Sequence, residues 1–329
     1  MTAPSPTVLV YGSVNCDEFF VVDHIVRSGE TISSTSYSRR AGGKGANQAV
    51  SAARAGAKVD FAGAVGSDGA WLQTELEGYG VNTEHLLRDE QTSTGRAIIQ
   101  LSSSTADNSI VLFPGANAAT NTNRTFDFSQ YTHVLVQNEI PWSDTVTALS
   151  TAHAEGAITF LNPSPMPSQD RLLELTWTDV DWLLINEGEG HDLLLAYQAT
   201  KEEEQAMDAQ QLLLKLRDTL GGTVSIVMTL GARGALALLP DNTLVSAPAG
   251  KVVGGVKDTT GAGDCFTGYL ATSTKERTPP AAAVQQALAL ACQAGAMCVE
   301  KPGAMESVPG LEEVMHRVSS DRSAEEEHL

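Results

Sequence analysis

The sequence predicts an α/β fold, a three-layer αβα sandwich on a mostly parallel central sheet, with a small β-sheet lid. Two observations carry the sandwich. Short β-branched runs alternate with Ala- and Leu-rich segments along most of the 329 residues. The strand runs are continuously apolar, as in a parallel sheet covered on both faces by helices. A third observation carries the lid: the stretches 17–38 and 93–113 break this rhythm and read as antiparallel strands with polar turns.

In chain order, strands are predicted at Thr7–Tyr11, Val59–Ala64, His133–Gln137, Ile158–Leu161, Trp182–Ile185 and Val224–Thr229. Helices are predicted at Ala46–Ala55, Ala70–Tyr79, Asp144–Ala154, Glu189–Ala196, Gln205–Leu220, Gly263–Ser273, Pro280–Cys298 and Gly310–Val318. The apolar parts of the lid are Phe19-Phe20-Val21-Val22 and Ile98-Ile99-Gln100-Leu101. Such a flap exposes one apolar side, so it is expected to cover a ligand or to pair with a second subunit. Residues 7–318 are read as one domain, with disordered tails at 1–6 and 319–329, the second of them acidic.

A formal net charge of −19 opposes binding to nucleic acid or to an anionic membrane, both of which need basic surface. Much of that acidity is solvated, as in Glu202–Glu204 and Glu325–Glu327. Cys16, Cys265, Cys292 and Cys298 form no CxxC pair, which fits a reducing, cytoplasmic setting. No basic region precedes an apolar stretch at the N-terminus, and no segment reads as a membrane span.

The stretch Lys257–Ala271, KDTTGAGDCFTGYLA, says most about chemistry. Gly261-Ala262-Gly263 stands before Asp264 and a small-residue helix. Unpaired N–H groups at such a helix start, helped by the helix dipole, attract an anion, and glycine lets a phosphate approach closely. An acid beside an anion pocket suits an enzyme that takes a proton from a hydroxyl as a phosphoryl group arrives. A Gly-rich turn with a capping Asp is the other reading.

Three further constellations lie at predicted strand ends, where open α/β sheets bind ligands. Asn15 and Asp17 are two apart, face one side of an extended chain and suit vicinal hydroxyls; an Asx turn is the alternative. Asn186 and Glu189 are three apart on one helical face and suit magnesium held through water, or simply an N-cap. The loop Thr229-Leu230-Gly231-Ala232-Arg233-Gly234 can lie along a triphosphate. A fourth run, Arg39–Gln48, resembles a P-loop only superficially, because Gly45 follows Lys44 and the first glycine is misplaced. Its glycines are expected to let a polyol lie against backbone, with Lys44 and Asn47 as donors. No GxGxxG fingerprint follows the first strand, which disfavours a dinucleotide enzyme.

Together, GGKGANQAV at Gly42–Val50, PGANAAT at Pro114–Thr120 and DTTGAGDCF at Asp258–Phe266 resemble the ribokinase branch of the ribokinase-like (PfkB) sugar kinases. The likeness runs from about Thr7 to Val318. It implies ATP-dependent phosphorylation of the 5-hydroxyl of D-ribose, with a lid that is also the interface of a homodimer. It implies sugar contacts on Asn15, Asp17, Gly43, Lys44, Gly45, Ala46, Asn47 and Glu139, with Asp264 as general base and Gly261, Ala262 and Gly263 as the anion hole. Nucleotide contacts would come from Asn186, Thr229–Gly234 and Gly263, with Asn186 and Glu189 supporting Mg²⁺ through water. A potassium ion would be held by Asp258, Ser307 and the carbonyls of Thr260, Cys298, Lys301 and Gly303. Cys292 stands where relatives commonly carry Asn or His near the adenine. Two alternatives stay open: a kinase of a related pentose (2-deoxyribose) or nucleoside, and a non-catalytic sugar sensor.

Overall fold

The computed structural model describes residues 5–105, 107–119, 125–197 and 207–326, with side chains as far as residue 320. The predicted Glu202–Glu204 run, the start of the helix predicted from Gln205, Thr120, and residues 1–4 and 327–329 of the predicted tails lie outside the described residues.

The strands are β1 Thr7–Tyr11, β2 Asn15–Val22, β3 Ser36–Gly42, β4 Lys58–Gly66, β5 Val81–Asn82, β6 Leu86–Asp89 and β7 Gly95–Ser102, followed by β8 Asn108–Phe113, β9 His133–Gln137, β10 Ile158–Asn162, β11 Trp182–Asn186, β12 Ser225–Thr229, β13 Ala235–Leu238 and β14 Leu244–Ala247. The helices are α1 Lys44–Arg54, α2 Ala70–Gly78, α3 Trp142–Ala154, α4 Gln169–Leu172, α5 Glu187–Tyr197, α6 Ala209–Leu220, α7 Ala262–Ser273, α8 Ala281–Cys298 and α9 Leu311–Glu326.

The main sheet runs β14-β13-β12-β11-β10-β9-β1-β4-β5, with β6 beside β4. It is parallel from β12 to β5 and closes with the antiparallel pairs β12–β13 and β13–β14. Alternate strand residues feed two cores. Val8, Val10 and Leu135 join the side chains of α1, α2, α7, α8 and α9 on one face. Leu9, Tyr11, Val134 and Val136 join those of α3, α4, α5 and α6 on the other. Near-continuous burial explains the lack of alternation in the sequence. The described part of α6 starts with a reciprocal capping box between Asp208 and Gln211.

The lid is a four-stranded sheet, β3-β2-β7-β8. β2–β3 and β7–β8 are antiparallel as expected, but the two ribbons join through a parallel β2–β7 pair, so the lid is mixed rather than antiparallel. Ile110, Val111, Leu112 and Phe113 of β8 are exposed.

Pro6 accepts the Lys58 N–H just before β1 begins at Thr7. One further expectation changes. α9 continues to Glu326, into the stretch expected to be disordered; Ser, Ala and Glu tolerate helix well enough for it to propagate. Among the described residues, α8 alone is long and apolar enough to cross a membrane, and half of it is buried. It packs on α7, α9 and β14, as a core helix does.

Candidate active site

The site lies at the carboxyl ends of the parallel strands. β1 delivers Gly12 and Ser13, β9 delivers Gln137 and Glu139, β10 ends in Asn162, β11 in Asn186 and β12 in Thr229. α1 and α7 bring their first turns to the same edge.

Gly261 caps α7 with φ 75°, the left-handed region that glycine adopts without strain. A Cβ there would also lie 2.8 Å from the Ala304 side chain. The Ala262 N–H is engaged by the Thr259 carbonyl at 3.3 Å. The N–H groups of Gly261, Gly263 and Asp264 have no acceptor among the described residues. Gly263 faces open space, since a Cβ there would meet nothing within 4 Å. A small pocket of free N–H groups at a helix start is therefore present.

Asp264 sits in this turn, buried. Its Oδ2 accepts from Asn47 Nδ2 at 3.0 Å and its Oδ1 from Gln48 Nε2 at 2.9 Å. Both donors come from the first turns of α1, so the two signature segments, more than two hundred residues apart, meet on one carboxylate.

The glycines of the α1 entry serve a different purpose from the one expected. A Cβ on Gly42 would fall 2.0 Å from Asp17 Oδ2, one on Gly43 2.8 Å from the Asn15 nitrogen, and one on Gly45 2.6 Å from Gly12 and Ser13 backbone. The protein's own β1–β2 segment fills this room, not an open groove. The N–H of Lys44 goes to Glu139 Oε2 at 3.0 Å, that of Gly45 to Ser13 Oγ at 3.3 Å, and that of Ala46 to the Ser13 carbonyl at 2.9 Å. Gly45 and Ala46 thus have no N–H left to offer, which removes the physical basis for them as sugar donors. The Lys44 and Asn47 side chains remain. Burial alone would lower the Lys44 ammonium, but the Asp264, Glu139 and Glu189 carboxylates outweigh it and hold it above its ordinary value.

Asp17 lies in β2 and is only 9% exposed. Burial, reinforced by Glu139, Glu306 and Asp264, pushes its carboxyl up to about 7. Its Oδ1 and the Oδ1 of Asn47 are buried acceptors without a donor. Asn15 Oδ1 accepts from Asn117 Nδ2 at 2.7 Å, and Asn117 also clamps both polar groups of the Val14 backbone. Ser13, Gln48 and Asn117 stand out only in three dimensions, although Gln48 and Asn117 lie within the quoted motifs. Beside Asn15 and Glu139 a cavity of about 280 Å³ opens toward Arg96, Phe113 and Trp142.

On the other side, the Asn186 N–H donates to Glu189 Oε2 at 2.9 Å and the Glu189 N–H to Asn186 Oδ1 at 2.8 Å. This reciprocal pair caps α5, which was the plainer of the two sequence readings. Arg233 pairs with Glu187, tying the Thr229–Gly234 loop to α5. Gly231 and Gly234 have φ of 57° and 93°, so the loop is a tight glycine turn as expected. Cys292 is buried in the core, and burial pushes its thiol up to about 12. A neutral, inward thiol does not replace the donors of Asn or His, so an adenine contact through the Cys292 side chain gains no support.

Hydrogen bonds link the expected cation ligands in two groups, Asp258 with Thr260 and Gly303, and Cys298 with Lys301 and Ser307. Asp258 accepts the Thr260 N–H and the Gly303 N–H, each at 2.9 Å. Burial would raise its carboxyl, yet these bonds prevail and hold it below the usual carboxylate range. The Ser307 hydroxyl meets the Ala304 carbonyl and Cys298 Sγ, and the Lys301 N–H meets the Cys298 carbonyl. An oxygen set of one carboxylate, one hydroxyl and carbonyls suits a hard cation. No cluster of three His, Cys, Asp or Glu side chains forms a metal cage among the described residues.

With this geometry in place, comparison with known proteins is decisive. The profile described as pfkB family carbohydrate kinase matches residues 5–311. The chain belongs to this family. The ribokinase of Haemophilus influenzae is 33% identical, with 94% of this chain and 97% of that protein covered. A deoxyribokinase of Salmonella typhi is 29% identical, over 93% and 96%. Among solved structures, the ADP complex of Cryptococcus neoformans ribokinase is 44% identical, covers 95% of this chain and 100% of that one, and gives a TM-score of 0.85. Arabidopsis thaliana ribokinase complexed with ribose and ATP is 27% identical, over 95% and 99%, at a TM-score of 0.81. The protein is thus an ATP-dependent carbohydrate kinase with the ribokinase-like fold.

Proposed function

We propose that this carbohydrate kinase is a ribokinase, which transfers the γ-phosphoryl group of ATP to the 5-hydroxyl of D-ribose. One observation carries the choice of sugar: the buried, unpartnered acceptors Asp17 Oδ1 and Asn47 Oδ1. A buried acceptor without a donor costs roughly 1–3 kcal/mol. Neighbouring hydroxyls supply the missing donors, and a 2-deoxy sugar has one fewer. Ribokinases predominate among the relatives described above.

Sugar contacts fall to Asn15, Asp17, the Gly43 N–H, the Lys44 and Asn47 side chains, and Glu139. Asp264 accepts the hydroxyl proton as oxygen attacks phosphorus in line, and the free N–H groups of Gly261, Gly263 and Asp264 meet the charge on the equatorial oxygens. Asn186 and the Thr229–Gly234 loop face the nucleotide. Asn186 and Glu189 would support magnesium through water, and Asp258, Ser307 and the nearby carbonyls would hold potassium; bound there, the two cations would supply positive charge for the phosphates and for the turn that presents the N–H groups. Closing the lid over the sugar excludes water and suppresses ATP hydrolysis. The exposed β8 side chains supply the apolar surface of a lid-to-lid homodimer. Four free, buried cysteines fit a reducing, cytoplasmic setting.

The test is ADP release with ribose, 2-deoxyribose and a nucleoside, each with and without potassium. Ribose preferred by at least tenfold supports the reading. Preference for 2-deoxyribose or the nucleoside overturns the choice of sugar, and no release with any of them supports a sensor.

A further inference from the structure

We propose that Gln48 is a positioning residue for the catalytic base: together with Asn47 it fixes the Asp264 carboxylate through a chain of side-chain amides that ends at Gly12. The inference rests on the reading of Asp264 as the base and goes beyond it.

The orientation of each amide follows from chemistry. A carboxylate oxygen only accepts, so Gln48 must turn its NH₂ toward Asp264 Oδ1, at 2.9 Å. The same NH₂ donates to Asn162 Oδ1 at 3.2 Å, and Asn162 is held in turn by the Leu184 carbonyl at 2.9 Å. Gln48 Oε1 is left to accept, and Gln137 Nε2 donates to it at 2.7 Å. That fixes Gln137 with its Oε1 buried and without a donor. This oxygen occupies the space of a missing side chain, since a Cβ on Gly12 would lie 2.0 Å from it. Gln48 and Gln137 are both fully buried. An orphaned buried acceptor is costly, and what the fold gains in return is a single orientation for Gln48 and hence for Asp264.

None of these amides titrates. The ionisable groups around Asp264 are Lys44 on α1, Asp17 on β2, Cys265 on α7 and Cys298 on α8, and none of them hydrogen-bonds its carboxylate. The proton taken from the sugar therefore has no side-chain relay inward. Rotation of the carboxylate away from the hydroxyl is what Gln48 prevents.

The experiment is a double-mutant cycle of Gln48→Met and Asp264→Asn, with kcat, the sugar KM and thermal stability read for each. Gln48→Met keeps volume and removes both polar groups. It is expected to lower kcat roughly 10- to 100-fold, the scale of a small misplacement of a reacting group, with the sugar KM within about threefold. In the Asp264→Asn background the same change is expected to alter kcat less than about twofold, because the group it positions has gone. Gln48→Glu, which sets a second carboxyl against Asp264, should move the acid limb of the kcat profile to higher pH. The proposal is overturned by an equal loss of kcat in both backgrounds, by a wild-type kcat in Gln48→Met, or by parallel losses of kcat, sugar binding and stability. Near-normal turnover of Asp264→Asn alone would instead defeat the assignment of the base.

Discussion

Replacing Asp17 by Asn should make the free protein more stable at neutral pH and a poorer enzyme. The native carboxyl titrates at about 7, against 3.8 as its ordinary value. Between about pH 4 and pH 7 the native state holds a proton that the unfolded chain has released, so stability falls as pH rises through this window. At about 1.36 kcal/mol per pH unit, ionising this one group costs about 4 kcal/mol by pH 8. An amide of the same shape avoids that cost. The stability difference between Asp17→Asn and the parent should therefore be near zero at pH 4 and approach about 4 kcal/mol at pH 8, in denaturant titrations without sugar. Sugar hydroxyls donate to the ionised form, so kcat/KM for ribose should fall about tenfold per pH unit below the parent's limb near 7. Asp17→Asn should lose that limb and about 10- to 100-fold in kcat/KM, the worth of charge-assisted bonds. A variant no more stable at pH 8 than at pH 4 relative to the parent would show that Asp17 is not held protonated by burial. An unchanged limb would assign it to another group.

Gly42→Ala places a methyl 2.0 Å from Asp17 Oδ2, so it should raise the ribose KM at least tenfold, read by steady-state kinetics. Asp258→Ala removes the acceptor of two backbone N–H groups, and should lower kcat while abolishing any rate difference between potassium and sodium salts. If the cation response survives that change, the site lies elsewhere.

Much of this site is legible in the chain because its chemistry sits in local segments. The GAG turn before Asp264 needs a left-handed glycine and a helix start, and both are written within a few residues. The six core strands were equally plain, since each is a short, largely apolar run that contains or adjoins a glycine, asparagine or threonine. β5, β6, β13 and β14 are too short for periodicity to mark their bounds, and the parallel register of β2 on β7 depends on a partner about eighty residues away. The roles of the glycines at 42, 43 and 45 were misjudged for the same reason. What approaches them is the distant Ser13–Asp17 backbone and carboxylate, invisible from their own neighbourhood. Gln48 lies inside a signature, yet only its contact with Asp264 distinguishes it from any other helical glutamine. Cys292 took its expected role from position alone, and its buried, neutral thiol adds no chemical support for that role.

The most direct measurement is turnover of the Asp264→Asn enzyme with saturating ribose and ATP, alongside calorimetric binding of ribose. General-base catalysis contributes roughly 10²–10⁴-fold, so kcat should drop by at least about a hundredfold while ribose still binds. Turnover within a few-fold of the parent would contradict proton transfer to Asp264.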